Sequence, residues 1–167
     1  MATPALWDWL LDATSLTRRL QHACSGRFHV QVLRQLRRRP AWSEARVLGM
    51  RRGECGVVRE VRLHCNDAPW VFARTVIPAS TLSGVRRRLV RLGSRPLGAA
   101  LFAQRSMRRG QVQVARLIPG QTMFEHAVQG LAQRPDCIWG RRSVFWIKGR
   151  PLLVSEIFLP ALVERRV

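Results

Sequence analysis

Hydrophobic and polar positions along the chain predict an ordered succession of short helices and strands. Phe28-His29-Val30-Gln31-Val32 alternates, as does most of Gln111 to Ile118, and both read as strands. Val57 to His64 and Trp70 to Ile77 are strand-like runs around Asn66-Asp67-Ala68-Pro69, whose residue types favour a turn, so they form a hairpin. Ser143 to Ile147 and Leu152 to Leu159 flank Lys148-Gly149-Arg150-Pro151 and form a second one. Between these lie helical patterns. Ala5 to Leu11 is a short helix, and another starts after Ser15, an N-cap residue ahead of Leu16-Thr17-Arg18-Arg19-Leu20. Leu82 to Leu92 reads as a basic helix opened by Ser80 or Thr81 and stopped by Gly93. A further helix opens at Ser94-Arg95-Pro96, with proline at the first helical position, and runs to about Gln104. Thr122-Met123-Phe124-Glu125 fits a capping box, so a short helix is expected from about Met123 to Gln133. Arg37-Arg38-Arg39-Pro40 is a loop or strand edge, and Ala45 to Met50 fits either state. Hairpins joined through helices predict an α+β fold built on a single antiparallel sheet of about six strands, with helices covering one face.

Length and composition narrow the class. With 167 residues and no repeat or linker, one domain spanning 1–167 is expected, burying roughly 70% of its unfolded surface. Lys and Arg total 29 against 10 Asp and Glu, for a formal charge of +19, and Lys148 is the only lysine. A hydrophobic fraction of 47% excludes a disordered polycation. No stretch reaches the ~20 apolar residues of a membrane-spanning helix. Met1 to Asp12 carries acidic residues and no leading basic cluster, so it is not expected to be a signal peptide. Cys24, Cys55, Cys65 and Cys137 show no paired spacing and read as four free thiols of a reducing cytoplasm. A zinc site drawn from these and His22, His29, His64 and His126 would have the wrong spacing. The basic runs Arg37 to Arg39, Arg86 to Arg88 and Arg108-Arg109 lack interleaved aromatics, so no specific nucleic-acid partner is expected, only salt-sensitive adventitious binding. The same field would attract a small anionic substrate or an anionic membrane surface.

Strand parity singles out charges among hydrophobic residues. Arg59 shares a face with Val57, Val61 and Leu63, and Arg74 shares one with Trp70, Phe72 and Val76. Glu156 is flanked by hydrophobes on either parity of its strand. An unpaired charge in apolar surroundings costs several kcal/mol. These residues therefore pair with each other, lie on a solvated face, or line a polar pocket for a carboxylate. Leu16 and Leu97 fall in the first turns of their helices, where amide N–H groups lack partners within the helix and favour anions.

Short stretches in order along the chain match a known family. The matching stretches begin with Trp9-Leu10-Leu11, Ser15-Leu16-Thr17 and Val58-Arg59-Glu60-Val61. They continue through Pro69-Trp70 into Ala73-Arg74-Thr75-Val76-Ile77-Pro78-Ala79-Ser80-Thr81-Leu82-Ser83-Gly84, then Leu92-Gly93, Arg95-Pro96-Leu97-Gly98 and Leu101-Phe102. At the C-terminal end are Trp139-Gly140-Arg141-Arg142-Ser143, Gly149-Arg150-Pro151-Leu152-Leu153 and Ser155-Glu156-Ile157-Phe158-Leu159-Pro160.

On these stretches the chain resembles the chorismate pyruvate-lyase family, and the resemblance implies helices that form lids over an internal ligand chamber, and elimination of pyruvate from chorismate to leave 4-hydroxybenzoate for ubiquinone synthesis. It implies no cofactor and no metal. The family's ligand-holding arginine falls on Arg59, its essential carboxylate on Glu156, and its two amide donors on Leu16 and Leu97. Whether Arg74 or Arg142 holds the substrate's second carboxylate stays open. The segment from Pro119 to Cys137 is longer than the family's usual link and should add a surface helix. A monomer is expected, with a peripheral contact to anionic membrane as a further partner. The alternative is a non-catalytic carboxylate-binding domain, since effector domains of some bacterial transcription regulators share this fold. Those normally follow a winged helix, and none is expected ahead of residue 1.

Overall fold

The computed structural model describes residues 2–82 and 87–164. Helix α1 (Pro4–Leu11) starts on a Thr3 cap that accepts from the Leu6 amide, and α2 (Leu16–Ala23) starts on the expected Ser15, which accepts from the amide of Arg18. Strand β1 (Phe28–Arg38) runs well past Val32 and ends within the arginine run. Of Ala45 to Met50, which fits either state by sequence, Ala45 to Val47 belong to α3 (Trp42–Val47), whose Glu44 accepts from the Ala41 amide at 2.8 Å. The first hairpin is β2 (Gly56–Cys65) and β3 (Ala68–Pro78), and it turns on Asn66-Asp67 alone, with Asn66 at φ 53°. The 3-10 turn η1 (Ala79–Thr81) follows.

Of the basic helix expected over Leu82–Leu92, residues 83–86 lie outside the described ones, and the rest contains α4 (Arg87–Val90). Helix α5 (Leu97–Phe102) has Pro96 as its N-cap rather than its first residue. The three-residue β4 (Met107–Arg109) carried no periodic signal, and β5 (Gln113–Leu117) lies inside the predicted run. Helix α6 (Thr122–Val128) ends earlier than expected, ahead of Gly130 at φ 76°; its N-cap is Gln121, and Glu125 accepts from the Gly120 amide at 2.8 Å. The second hairpin is β6 (Ile138–Ile147) and β7 (Arg150–Phe158), joined by Lys148-Gly149, both at positive φ. Helix α7 (Pro160–Val163) follows β7.

The seven strands among the described residues join one antiparallel sheet in the order β1-β2-β3-β7-β6, with β4 and β5 end to end along the outer edge of β6. The α+β class and the single sheet are as the sequence reading had them. On one face, called the front, α1 and α2 bury Leu6, Leu10, Leu16 and Leu20 against Val30, Val61 and Leu63. Further along that face, Leu89 and Leu101 of α4 and α5 pack on Val57, Ile77, Phe145 and Val154. The back face also has cover, from α6 through Phe124 and Val128 on Phe72 and Ile157, and from Leu48, just after α3, on Val58, Val76 and Leu153.

A bulge fixes which charges face which way. His64 pairs with Pro69 but Leu63 with Val71, leaving Trp70 as an extra residue in β3. Because strand side chains alternate, this one-residue slip sends Arg74 to the back face opposite Glu60, instead of to the front beside Arg59. There Arg74 is buried with its Nε 2.7 Å from Glu44 Oε1 and its Nη1 2.5 Å from Glu60 Oε1. Burial alone would lower the Arg74 pKa; the contacts with Glu44 and Glu60 more than offset that and hold it above the ordinary value. His126 of α6 reaches the same Glu60 oxygen at 2.9 Å, so the network clamps both back-face helices to the sheet.

The reading of four free thiols needs correction: Cys24 and Cys65 form a disulfide, and Cys55 and Cys137 are free. Their separation of 41 residues has no sequence signature, but pairing of β1 with β2 sets Phe28 opposite Cys65, four residues after Cys24. Cysteine usage therefore gives no argument for a reducing compartment. No helix among the described residues is long and apolar enough to cross a membrane. The bond ties the C-cap of α2 to the end of β2, closing a long loop. Loop-closure entropy predicts that the double variant Cys24→Ser/Cys65→Ser loses about 2–4 kcal/mol of stability in urea unfolding. An unchanged midpoint would show that the tether contributes nothing to the folded state.

Candidate active site

The front face of β2, β3, β7 and β6 forms the floor of a chamber roofed by the N-terminal ends of α2 and α5. Arg59, Thr75, Val154 and Ser143 lie in one row across these strands, with Ala73, Glu156 and Arg141 in the next. Leu16, Thr17, Leu97, Gly98 and Phe102 line the chamber from the helices. Gly98 is required where the two lids meet: a Cβ there would lie 2.8 Å from the Thr17 hydroxyl oxygen. The structure thus brings Arg59, Glu156, Leu16 and Leu97 to one cavity.

Arg59 is 3% exposed. Its Nη1 donates to Gln35 Oε1 at 2.9 Å, and its Nη2 donates to the Gly93 carbonyl at 2.7 Å. Those contacts orient the guanidinium without neutralising it, since no carboxylate among the described residues is within ion-pair distance. Burial accordingly pushes its pKa below the usual arginine value. A buried cation held by neutral acceptors is poised for an anion. Leu16 and Leu97 are the first residues of α2 and α5, so their amides have no acceptor within the helix.

Glu156 does not pair with Arg59. Its Oε2 accepts from Arg141 Nε at 2.6 Å, and its other oxygen has no hydrogen bond to a described residue. Arg141 is 2% exposed and spends Nη1 on the carbonyls of Trp9 at 2.8 Å and Asp12 at 2.6 Å, at the C-terminal end of α1. One guanidinium therefore joins α1, the sheet and the carboxylate. Arg109, from β4, lines the same chamber. Its Nε donates to the Ser143 hydroxyl at 3.2 Å and its Nη1 to the Asp12 carbonyl at 3.3 Å. Desolvation, reinforced by repulsion from Arg141, lowers its pKa.

Neither arginine considered for the second carboxylate is here. Arg74 is committed to Glu44 and Glu60 on the back face, and Arg142 also points backward, donating to Gln113 Oε1 at 2.7 Å. Sequence reasoning missed Arg141 and Arg109. Arg141 had a usable signal, since a two-residue turn at Lys148-Gly149 sets it directly opposite Glu156. Arg109 had none, because its strand is three residues long. The chamber thus holds three arginines and one carboxylate, a formal surplus of two positive charges.

Comparison with known proteins places the chain in a family. A family profile described as chorismate lyase matches residues 1–167. A protein of Methylococcus capsulatus named "Probable chorismate pyruvate-lyase" is 44% identical over 157 residues, covering 94% of this chain and 96% of its own. One of the same name from Azoarcus sp. is 45% identical over 162 residues, covering 95% and 85%. Among solved structures, the ligand-binding domain of a GntR-family transcriptional regulator from Bordetella bronchiseptica superposes with a TM-score of 0.59 at 18% identity, covering 86% of this chain and 91% of that one. A GntR-family regulator from Enterococcus faecalis also gives 0.59, at 15% identity, covering 86% and 98%. At such identities these regulators share the fold alone. With a profile spanning every residue and relatives at 44 and 45% identity along nearly the whole length, the chain belongs to the chorismate lyase family.

Proposed function

We infer that the protein eliminates pyruvate from chorismate, leaving 4-hydroxybenzoate. The observation that carries this reading is the chamber's surplus of two positive charges around a single fixed carboxylate. Chorismate is a dianion with one hydroxyl, so each of its polar groups finds a counterpart. Arg59 and the first-turn amides of Leu16 and Leu97 hold the ring carboxylate, as charge-assisted donors in a dry cavity. Arg109 holds the enolpyruvyl carboxylate, the one group that leaves. The free oxygen of Glu156 accepts from the C4 hydroxyl and fixes the ring's orientation, while Arg141 fixes Glu156.

In the reaction the C3–O bond breaks, its electron pair stays on the departing enolpyruvyl oxygen, and the C4–H electron pair completes the aromatic ring. The proton from C4 passes to the vinyl CH2, so the enol leaves as pyruvate. Aromatisation supplies the driving force. The protein's contribution is to hold one conformer and to stabilise charge developing on the leaving group. Glu156 acts by orientation in this scheme. The same fold serves as a ligand-binding module in the regulators named above, and a non-catalytic carboxylate binder is the reading that the chemistry must defeat.

The decisive assay is incubation of the purified protein with chorismate alone, with 4-hydroxybenzoate and pyruvate expected in equal amounts. Formation of neither would leave the binding module in front. Glu156→Gln keeps one acceptor oxygen for Arg141 and presents an amide nitrogen that can donate to the hydroxyl oxygen, so it is expected to retain turnover; loss of turnover, with product affinity intact, would make Glu156 the general base. Arg109→Met separates the two anion sites. Losing a charge-assisted bond of about 1.5–3 kcal/mol should lower kcat/KM for chorismate by ~10–100-fold. Calorimetric affinity for 4-hydroxybenzoate, which lacks that carboxylate, should stay near the wild-type value. Equal losses in both would place Arg109 at the ring carboxylate instead.

A further inference from the structure

The back face carries a second polar row that the lyase chemistry does not use. Gln113, Arg142, Ser155, Arg74, Glu60 and Arg34 lie side by side across six strands, each the registered neighbour of the next. Half of it is internally satisfied, with Arg74 and Arg34 paired to Glu60 and Arg74 also to Glu44. The other half is not. Arg142 gives its Nε to a neutral amide oxygen, and its two terminal nitrogens make no hydrogen bond or ion pair with a described residue. Ser155 is 5% exposed, and its hydroxyl likewise has no hydrogen-bond partner among the described residues.

Both residues face a groove of about 720 Å³ between β5, β6, β7 and the helices α3 and α6. Leu117, Met123 and Ile157 supply an apolar wall alongside them. This volume lies in the range of sites that take small organic ligands, which are largely apolar with a few placed polar groups. A strand-borne guanidinium without a counter-charge, next to a hydroxyl that has no hydrogen-bond partner among the described residues, selects a carboxylate head. The single uncompensated cation selects one negative charge, and the wall selects a hydrocarbon body.

We propose that this back-face groove binds a monoanionic amphiphile, an organic carboxylate on an aromatic ring or a short acyl chain. The carboxylate bonds the terminal nitrogens of Arg142 and the Ser155 hydroxyl, while the body lies along Leu117, Met123 and Ile157. The site is separate from the front chamber. Arg142 and Ser155 nonetheless directly adjoin Arg141 and Glu156 in the chain, so the two faces share the same two strands.

The test is calorimetric titration of the full chain with 2-naphthoate and with octanoate, which distinguish aromatic from acyl bodies. At least one is expected to bind. Its affinity should fall at least ~10-fold in Arg142→Gln, which removes the charge-assisted bond. Ala115→Trp fills the groove from an exposed strand position and should abolish the binding. Unchanged thermal melting and unchanged 4-hydroxybenzoate affinity show that both variants keep the fold and the front chamber. Absence of binding by either probe, or binding that both variants leave intact, overturns the proposal.

Discussion

The buried guanidinium of Arg141 is the contact on which the chamber depends. Its Nη1 collects carbonyls at the end of α1, groups that a helix of eight residues leaves without intrahelical donors. Its Nε holds Glu156 at 2.6 Å. A cation at 2% exposure is costly to desolvate, and that cost is offset only while the carboxylate and the carbonyls are all in place. Docking of the end of α1 and orientation of Glu156 therefore depend on the same guanidinium.

Much of this was legible from strand period and turn chemistry. Parity marked Arg59, Arg74 and Glu156 because each is a charge among hydrophobes, and all three are buried or nearly so. Parity alone could not say which of two faces each occupies. That information sits in the turns and irregularities. The sequence reading leaves four residues, Lys148 to Pro151, between the strands; the structure turns on Lys148-Gly149 alone, and that register puts Arg141 opposite Glu156. The Asn66-Asp67 turn would by the same logic have set Arg74 opposite Arg59, and the bulge at Trp70 reverses it. A bulge is an accommodation between strands and leaves no periodic mark in either one. Trp139-Gly140-Arg141-Arg142 hid within β6 because a glycine and two consecutive arginines break alternation. The strand exists because both of its faces are polar at that row and both charges have work or company.

The same distinction reorders the charge. Most of the surplus of +19 lies on exposed side chains, whose field is general. The structure separates three buried populations from that coat. Arg74 is neutralised by two glutamates and serves to fasten α3 and α6. Arg141 is shared between a carboxylate and carbonyls. Arg59 has neutral acceptors only, so its charge remains available. Arginine content says nothing about which of these a given residue will be; the acceptors brought to it by register do.

The presence of Glu156 in a cavity built for anions is informative. A chamber whose only task was to hold a dianion would be better without a carboxylate, since like charges at close range oppose binding even with screening. Here the carboxylate is retained and actively held against the anion by a buried arginine that could otherwise have contributed attraction. Such an arrangement weakens ground-state affinity and makes sense where the carboxylate contacts a hydroxyl at the carbon that loses its hydrogen. The pairing of Glu156 with Arg141 lies on the two strands that also carry Arg142 and Ser155 on the back face.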